Sequence, residues 1–309
     1  MRTLLDGLRE QARRKFCHEA WNIGVVAQTA ADIARRGIVH PPRWLPPPAP
    51  GTMLADPGCV IRTDGGFDLY AEFLDYRRPR GEIWRAAVPP GGDLATARFA
   101  PLFAADCHMS YPFPFTTDDG RLLMTAETWQ ARRAALWTAH GAGWRAAGAV
   151  LADREIVDPT LWRGPDRWWL FCTLHDDGPD TRLHLFHAPE PAGPWTPHRA
   201  NPIRTGAAGS RPAGPLFEAD GALIRPGQDC THTYGGAVIL HAVRRLDAEG
   251  YEEEPVRRLA PCPGLYPHGL HTICPAGDVT LIDGKRWQHD LAGAARKLRR
   301  RLGARSRSA

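Results

Sequence analysis

Apolar residues change their spacing twice along the chain. Leu4, Leu5, Leu8 and Ala12, and then Ile23, Ala27, Ala30 and Ala34, recur at helical intervals. That spacing predicts helix over residues 1–36, with Gly24 and Gly37 as breaks. Residues 41–50 read PPRWLPPPAP, a connector that can be neither helix nor central strand, because proline lacks the N–H that both need. From about residue 52 to 285 the apolar runs become short and are separated by Gly, Pro and Asp, the mark of strands and turns. Leu291, Leu298 and Leu302 then stand on a basic segment and predict a last helix over 286–302.

The strand-rich stretch repeats. Segments beginning at Ala55, Ser110, Val157, Ser210 and Gly269 each carry an apolar strand, a Gly/Asp turn and a second apolar strand with a polar end. Successive starts are 55, 47, 53 and 59 residues apart, room for a hairpin and two further strands, which is the size of a propeller blade. The pattern predicts an all-β, five-bladed β-propeller over 51–285. A helical segment and connector precede it over 1–50, and a basic helix or tail follows over 286–309. A non-repeating pair of β-sandwiches is the competing arrangement.

Composition narrows the class further. The chain has 309 residues, 43% of them hydrophobic, with 11 Trp, 31 Gly and 29 Pro. This surplus of turn formers disfavours a helical bundle without reaching the range of disorder. No run of 18 apolar residues is present, so no transmembrane helix is expected. The first 30 residues carry charges where a signal peptide needs an apolar stretch. The net charge of +5 is unevenly placed. Residues 285–309 hold nine Lys and Arg against Asp290 alone, a local +8, which leaves −3 for residues 1–284. The body is therefore no basic nucleic-acid binder, and the tail is expected to give weak, salt-sensitive contact with anionic membranes. Seven cysteines without a CxxC spacing read as buried thiols of a cytoplasmic protein.

The repeat also locates candidate chemistry. The first strands of a propeller's blades surround its axis, so residues at equivalent places converge. Asp56 and Asp158 each precede a proline, which is expected to hold their backbone extended. Tyr111 takes the matching place in the second repeat, with His108 just before it, and His271 lies near it in the fifth. Glu127, Gln228 and Asp229 end the second strands of repeats two and four. With Arg211 and Arg225 these residues compose a pocket of clustered carboxylates, histidines and arginines. Paired carboxylates are what glycosidic chemistry uses, one protonating the leaving oxygen and another activating water or attacking. Asp56, Glu127 and Asp158 are the candidate catalytic residues. His108, Tyr111, Arg211, Arg225, Gln228, Asp229 and His271 are the candidate substrate contacts. Glu127 is expected to hold its proton near neutral pH, with Asp229 next in line. Arginines suit carboxylate or phosphate groups on a substrate. No metal or cofactor is expected, since no GxGxxG, Walker A, nucleophile elbow or HExxH motif occurs.

Several motifs in order, HMSYPFPF, LLMTAET, VDPTLW with WWLF, GPWTPHRANPI, SRPAG, IRPGQDCTHTYGG and GLHTI with IDG, resemble the N-terminal domain of glucosamine inositolphosphorylceramide transferases and its stand-alone bacterial relatives. The resemblance covers about residues 20–285. It implies a propeller akin to those of clan F glycoside hydrolases, in which one Asp is general base, a second Asp orients and tunes, and a Glu is general acid. Asp56 resembles the base and Asp158 the second Asp. The acid has no clean counterpart: Glu218 falls in an expected hairpin turn, and Glu127 comes earlier in the chain than that family's acid. The separate glycosyltransferase domain of the plant transferases is not expected here. The resemblance implies an enzyme making or breaking a glycosidic bond on a sugar or glycoconjugate, or else a non-catalytic carbohydrate-binding scaffold of a polysaccharide-assembly pathway.

Overall fold

The computed structural model describes residues 16–290, apart from residue 142, together with residue 293. Its described strands form five antiparallel sheets, each with a main path of four strands, arranged as the five blades that the repeat predicts. Blade 1 is Thr52–Ile61, Phe67–Asp75, Arg78–Val88 and Ala100–Phe103. Blades 2, 3 and 4 begin on Ser110–Thr116, Ile156–Arg163 and Ala208–Pro212. The first strands of neighbouring blades pack on one another and so form the axis. Apolar cores lie between adjacent blades, as where Phe113 and Leu136 of blade 2 meet Leu161 and Leu170 of blade 3.

Blade 5 corrects the reading of the N-terminus. Residues Cys17–Val26 are a strand, not helix. This strand pairs residue by residue with Val279–His289, from Cys17 opposite His289 to Val26 opposite Thr280. Blade 5 therefore runs Ile273–Ala276, Val279–His289, Cys17–Val26 and Arg43–Trp44, drawing strands from both ends of the described chain. The N-terminal strand is buried almost throughout, and burial on both faces removes the alternation by which strands are recognised. Gly24 does not break it. The missing Cβ leaves room for the Trp44 ring, 2.9 Å from where a Cβ would sit. Trp44 itself lies on a two-residue edge strand inside the proline-rich connector, the one sheet position that tolerates such a sequence.

A short helix does form at Ala30–Arg36, capped by the Thr29 side chain and ended by Gly37 at φ 78°. Arg286–His289 extend the second strand of blade 5, where the start of a last helix was expected. The remainder of that expected helix and of the basic tail lies outside the described residues, apart from Asp290 and residue 293.

Candidate active site

Four of the five blades deliver an axial residue through a local irregularity. The ladders of blades 1 to 3 slip between Ala55 and Gly58, Ser110 and Phe113, and Val157 and Thr160. Within these slips Asp56, Tyr111 and Asp158 take φ values of 52°, 48° and 48°. The expected extended backbone before proline is thus overturned. Proline excludes the right-handed helical region for its predecessor, but the bulge instead uses the left-handed one, at roughly 1–3 kcal/mol each. Blade 4 repeats the X-Pro pair as Arg211-Pro212, where its ladder also slips. Four blades therefore place Asp, Tyr, Asp and Arg before a proline at the axis.

Two linked networks result. In the first, Asp158 Oδ2 accepts from Arg211 Nε at 2.7 Å and from Gln228 Nε2 at 3.1 Å. The Asp158 backbone N–H donates to Glu127 Oε2 at 3.1 Å, and Arg211 also reaches Glu127 at 3.8 Å and Asp180 at 3.2 Å. In the second, Asp56 Oδ1 accepts from the Thr272 hydroxyl at 3.0 Å, and Oδ2 accepts from the Tyr111 N–H at 3.3 Å. His271 lies between Asp283, 2.5 Å away, and Asp56, 3.6 Å away. The His271 ring stacks on Trp21 at 3.9 Å between centroids. Tyr234 joins the halves, with Arg211 over its ring at 4.9 Å and the His271 ring edge-on at 5.3 Å. The Tyr234 carbonyl in turn accepts from the fully buried Lys285 at 2.6 Å.

Five carboxyl groups, those of Asp56, Glu72, Glu127, Asp158 and Asp283, are no more than 5% exposed, with Arg211 and His271 as the cations beside them. Burial pushes Asp56 up to about 6, although His271 opposes the shift. Burial and then the Asp158 charge hold Glu127 well above the usual carboxylate range. Glu72 is raised by burial and by the charges of Asp56, Glu127 and Asp158. Burial pulls the His271 imidazole down, but Asp283 and Asp56 outweigh it and keep its pKa above the ordinary histidine value. Asp56, His271 and Asp283 bring one ligand atom each within 4.8 Å of one another. Asp283 and Asp56, which hold the imidazole toward its protonated form, make the three an ion triad.

The structure brings together Asp56, Tyr111, Glu127, Asp158, Arg211, Gln228 and His271. His108 stands at the edge of this group, accepting from the Gly81 N–H at 2.9 Å and lying 3.5 Å from Glu72. Burial lowers its pKa. Arg225 and Asp229 belong elsewhere. Arg225 makes two 2.7 Å bonds to Glu253 inside blade 4, because a guanidinium buried within a sheet needs a bidentate partner. Asp229 turns to Thr231 and Arg258, which hold its pKa low against its burial and remove it as a reserve acid. Glu218 is exposed on a three-residue strand. Sequence reasoning missed Glu72, Asp283, Trp21, Tyr234 and Lys285. Glu72 had a signal: it stands opposite Ala55 as Glu127 stands opposite Ser110. Trp21 was hidden by the helical reading of its strand.

A family profile described as "Glucosamine inositolphosphorylceramide transferase 1, N-terminal" matches residues 50–260. Glucosamine inositolphosphorylceramide transferase 1 of Oryza sativa subsp. japonica is 33% identical over 215 residues, which cover 67% of this chain and 28% of the rice protein. That of Arabidopsis thaliana is 30% identical over 250 residues, 77% of this chain and 30% of the relative. The chain thus spans under a third of the length of these relatives. Among solved structures, the family 117 glycoside hydrolase Zg3597 of Zobellia galactanivorans matches with a TM-score of 0.53 at 14% identity, covering 75% of this chain and 84% of that one. The alpha-L-arabinofuranosidase PaAbf62A of Podospora anserina matches at 0.54 and 12% identity, covering 73% and 78%. At such identities the likeness shows the fold alone.

Proposed function

Because this chain belongs to the family of glucosamine inositolphosphorylceramide transferase N-terminal domains, we propose that it is a carbohydrate-active propeller whose axial acid cluster makes or breaks a glycosidic bond. The observation that carries this reading is the gathering of Asp56, Glu127 and Asp158 in one buried cluster beside Arg211 and His271. Burial and the Asp158 charge hold Glu127 well above the usual carboxylate range, which suits a proton donor, while Asp56, pushed up to about 6, suits a base above that pH. Glu127 donates its proton to the leaving oxygen. Asp56 activates water or an acceptor hydroxyl. Asp158, held by Arg211 and Gln228, orients the group and raises Glu127 by its charge. The relatives' names speak of a transferase, but the shared part is under a third of their length, so the transfer they perform is not carried over. Seven unpaired cysteines support a reducing, cytoplasmic setting.

One observation favours a binding role instead. The Asp158 carboxylate is already occupied by Arg211 and Gln228, as in a site that recognises sugars without turnover. Assay of the purified protein against aryl pyranosides, aryl furanosides and nucleotide sugars separates the two. Turnover that falls roughly 10²–10⁴-fold in Asp56→Asn and in Glu127→Gln supports the enzyme. Turnover unchanged in both variants refutes these roles, and saturable sugar binding without turnover establishes the scaffold.

A further inference from the structure

The axis holds a cavity of about 280 Å³, lined by Asp56 to Cys59, Tyr111 to Pro114, Gly214 to Phe217, and Thr272 with Cys274 and Pro275. Its position follows from strand register. Glu72 and Glu127 stand opposite residues that precede the bulges. The cavity walls instead run from the bulge residues onward along the same strands, toward the hairpin turns. Tyr111 separates the two regions. Its hydroxyl spans the axis, 2.8 Å from Thr160 of blade 3, and accepts from the Gly214 N–H at 2.8 Å. Asp56 and Thr272 form the inner end of the cavity.

The lining has a single chemical character. Five prolines, Pro57, Pro112, Pro114, Pro215 and Pro275, alternate with Phe113, Leu216 and Phe217. No Lys, Arg or His lines it, so an anion finds no counter-charge. Burial pushes the Cys59 thiol up to about 12 and raises Cys274 as well, so both thiols present neutral sulfur. The one ionisable wall group that titrates near neutral pH is Asp56, and both of its oxygens already accept hydrogen bonds. An apolar cavity with one polar end is the general form of a small-molecule site.

We propose that this cavity binds an uncharged aliphatic chain, back to back with the acid cluster and with the chain's end against Asp56 and Thr272. At about 30 Å³ for a water-sized group, the volume holds about nine methylenes. The proposal shares Asp56 with the glycosidic reading but requires no turnover, and its test reads binding alone.

Titration calorimetry with 1-hexanol through 1-dodecanol on the intact protein tests it. Affinity rises about fourfold per added methylene and levels off near nine or ten carbons. Decanoate at pH 8 binds at least tenfold more weakly than 1-decanol, because Asp56 repels its carboxylate. Cys59→Phe and Pro275→Phe, at two half-buried wall positions, fill the space and lose the chain-length dependence. Thermal melting of each variant reports its folding independently. A flat chain-length series in the unaltered protein overturns the proposal, as do equal affinities for decanol and decanoate. Undiminished binding in both folded variants overturns it too.

Discussion

At Glu127 burial and a neighbouring charge act in the same direction, and the consequence is visible in stability as well as chemistry. A carboxyl whose folded pKa is raised makes the native state bind more protons than the unfolded one. Stability is then full below pH 4.5 and falls as pH rises toward the folded pKa. Glu127→Gln keeps an acceptor for the Asp158 N–H and removes that loss. The variant is therefore expected to be about 1–2 kcal/mol more stable than the parent at pH 8 and equal to it at pH 4. Chemical denaturation at the two pH values checks this, and a variant less stable at pH 8 contradicts it. His271 has the opposite chemistry and the same sign. Its raised pKa contributes stability below pH 6.5 that is lost as pH rises through the folded value. Removing its 2.5 Å partner by Asp283→Asn is expected to cost about 3 kcal/mol at pH 6 and to lower the imidazole pKa, followed by nitrogen-15 NMR of the ring. An unchanged His271 titration contradicts the ion triad. At this scale the sequence was legible where a motif repeated. The pre-proline Asp56 and Asp158 and the strand-ending Glu127 reach the axis as expected. Arg225 and Asp229 were misjudged because a polar residue near a strand end can turn to a partner in its own blade, here Glu253 and Arg258, and linear order does not reveal the partner.

Elements hold the site by their irregularities rather than by regular pairing. Where blade 4 passes blade 5, Gly214 has φ 115°, and an added Cβ would run into the Ile273 carbonyl. The Gly214 N–H also supports the Tyr111 hydroxyl. Gly214→Ala is expected to cost about 3 kcal/mol through both strain and displacement. Gly120, at φ 81° in open space, loses only the conformational part, about 1 kcal/mol in Gly120→Ala. Denaturant midpoints of the two variants compare them directly, and equal losses contradict the close approach of blades 4 and 5. Hairpins were legible in the sequence because Gly/Asp turns punctuate apolar runs. The bulges were not. Their signal, an X-Pro pair, was recognised, but a local rule about the residue before proline pointed to extended backbone, and the neighbouring strands impose the left-handed one.

The whole molecule is closed by its ends. Cys17–Val26 sits third in the blade whose first two strands lie beyond residue 270, so the ring is sealed by pairing between distant parts of the chain. A chain lacking residues 1–28 is expected to lose cooperative unfolding, and a synthetic peptide of residues 16–28 to restore it. An unaltered melting temperature in the shortened chain contradicts closure by this strand. The number of blades could be read from the repeat. This closing strand could not, because its burial on both faces removes the alternation that marks a strand.

The fold, the bulges and the seal converge on one claim, that burial at the axis holds the Glu127 carboxyl well above the usual carboxylate range. Carbon-13 NMR of glutamate-labelled protein, with the Glu127 resonance assigned by its disappearance in Glu127→Gln, tests this claim most directly. The account predicts a Glu127 carboxyl shift that stays flat through pH 4.5 and moves only well above it. A titration midpoint near the ordinary glutamate value of about 4.3 would contradict it.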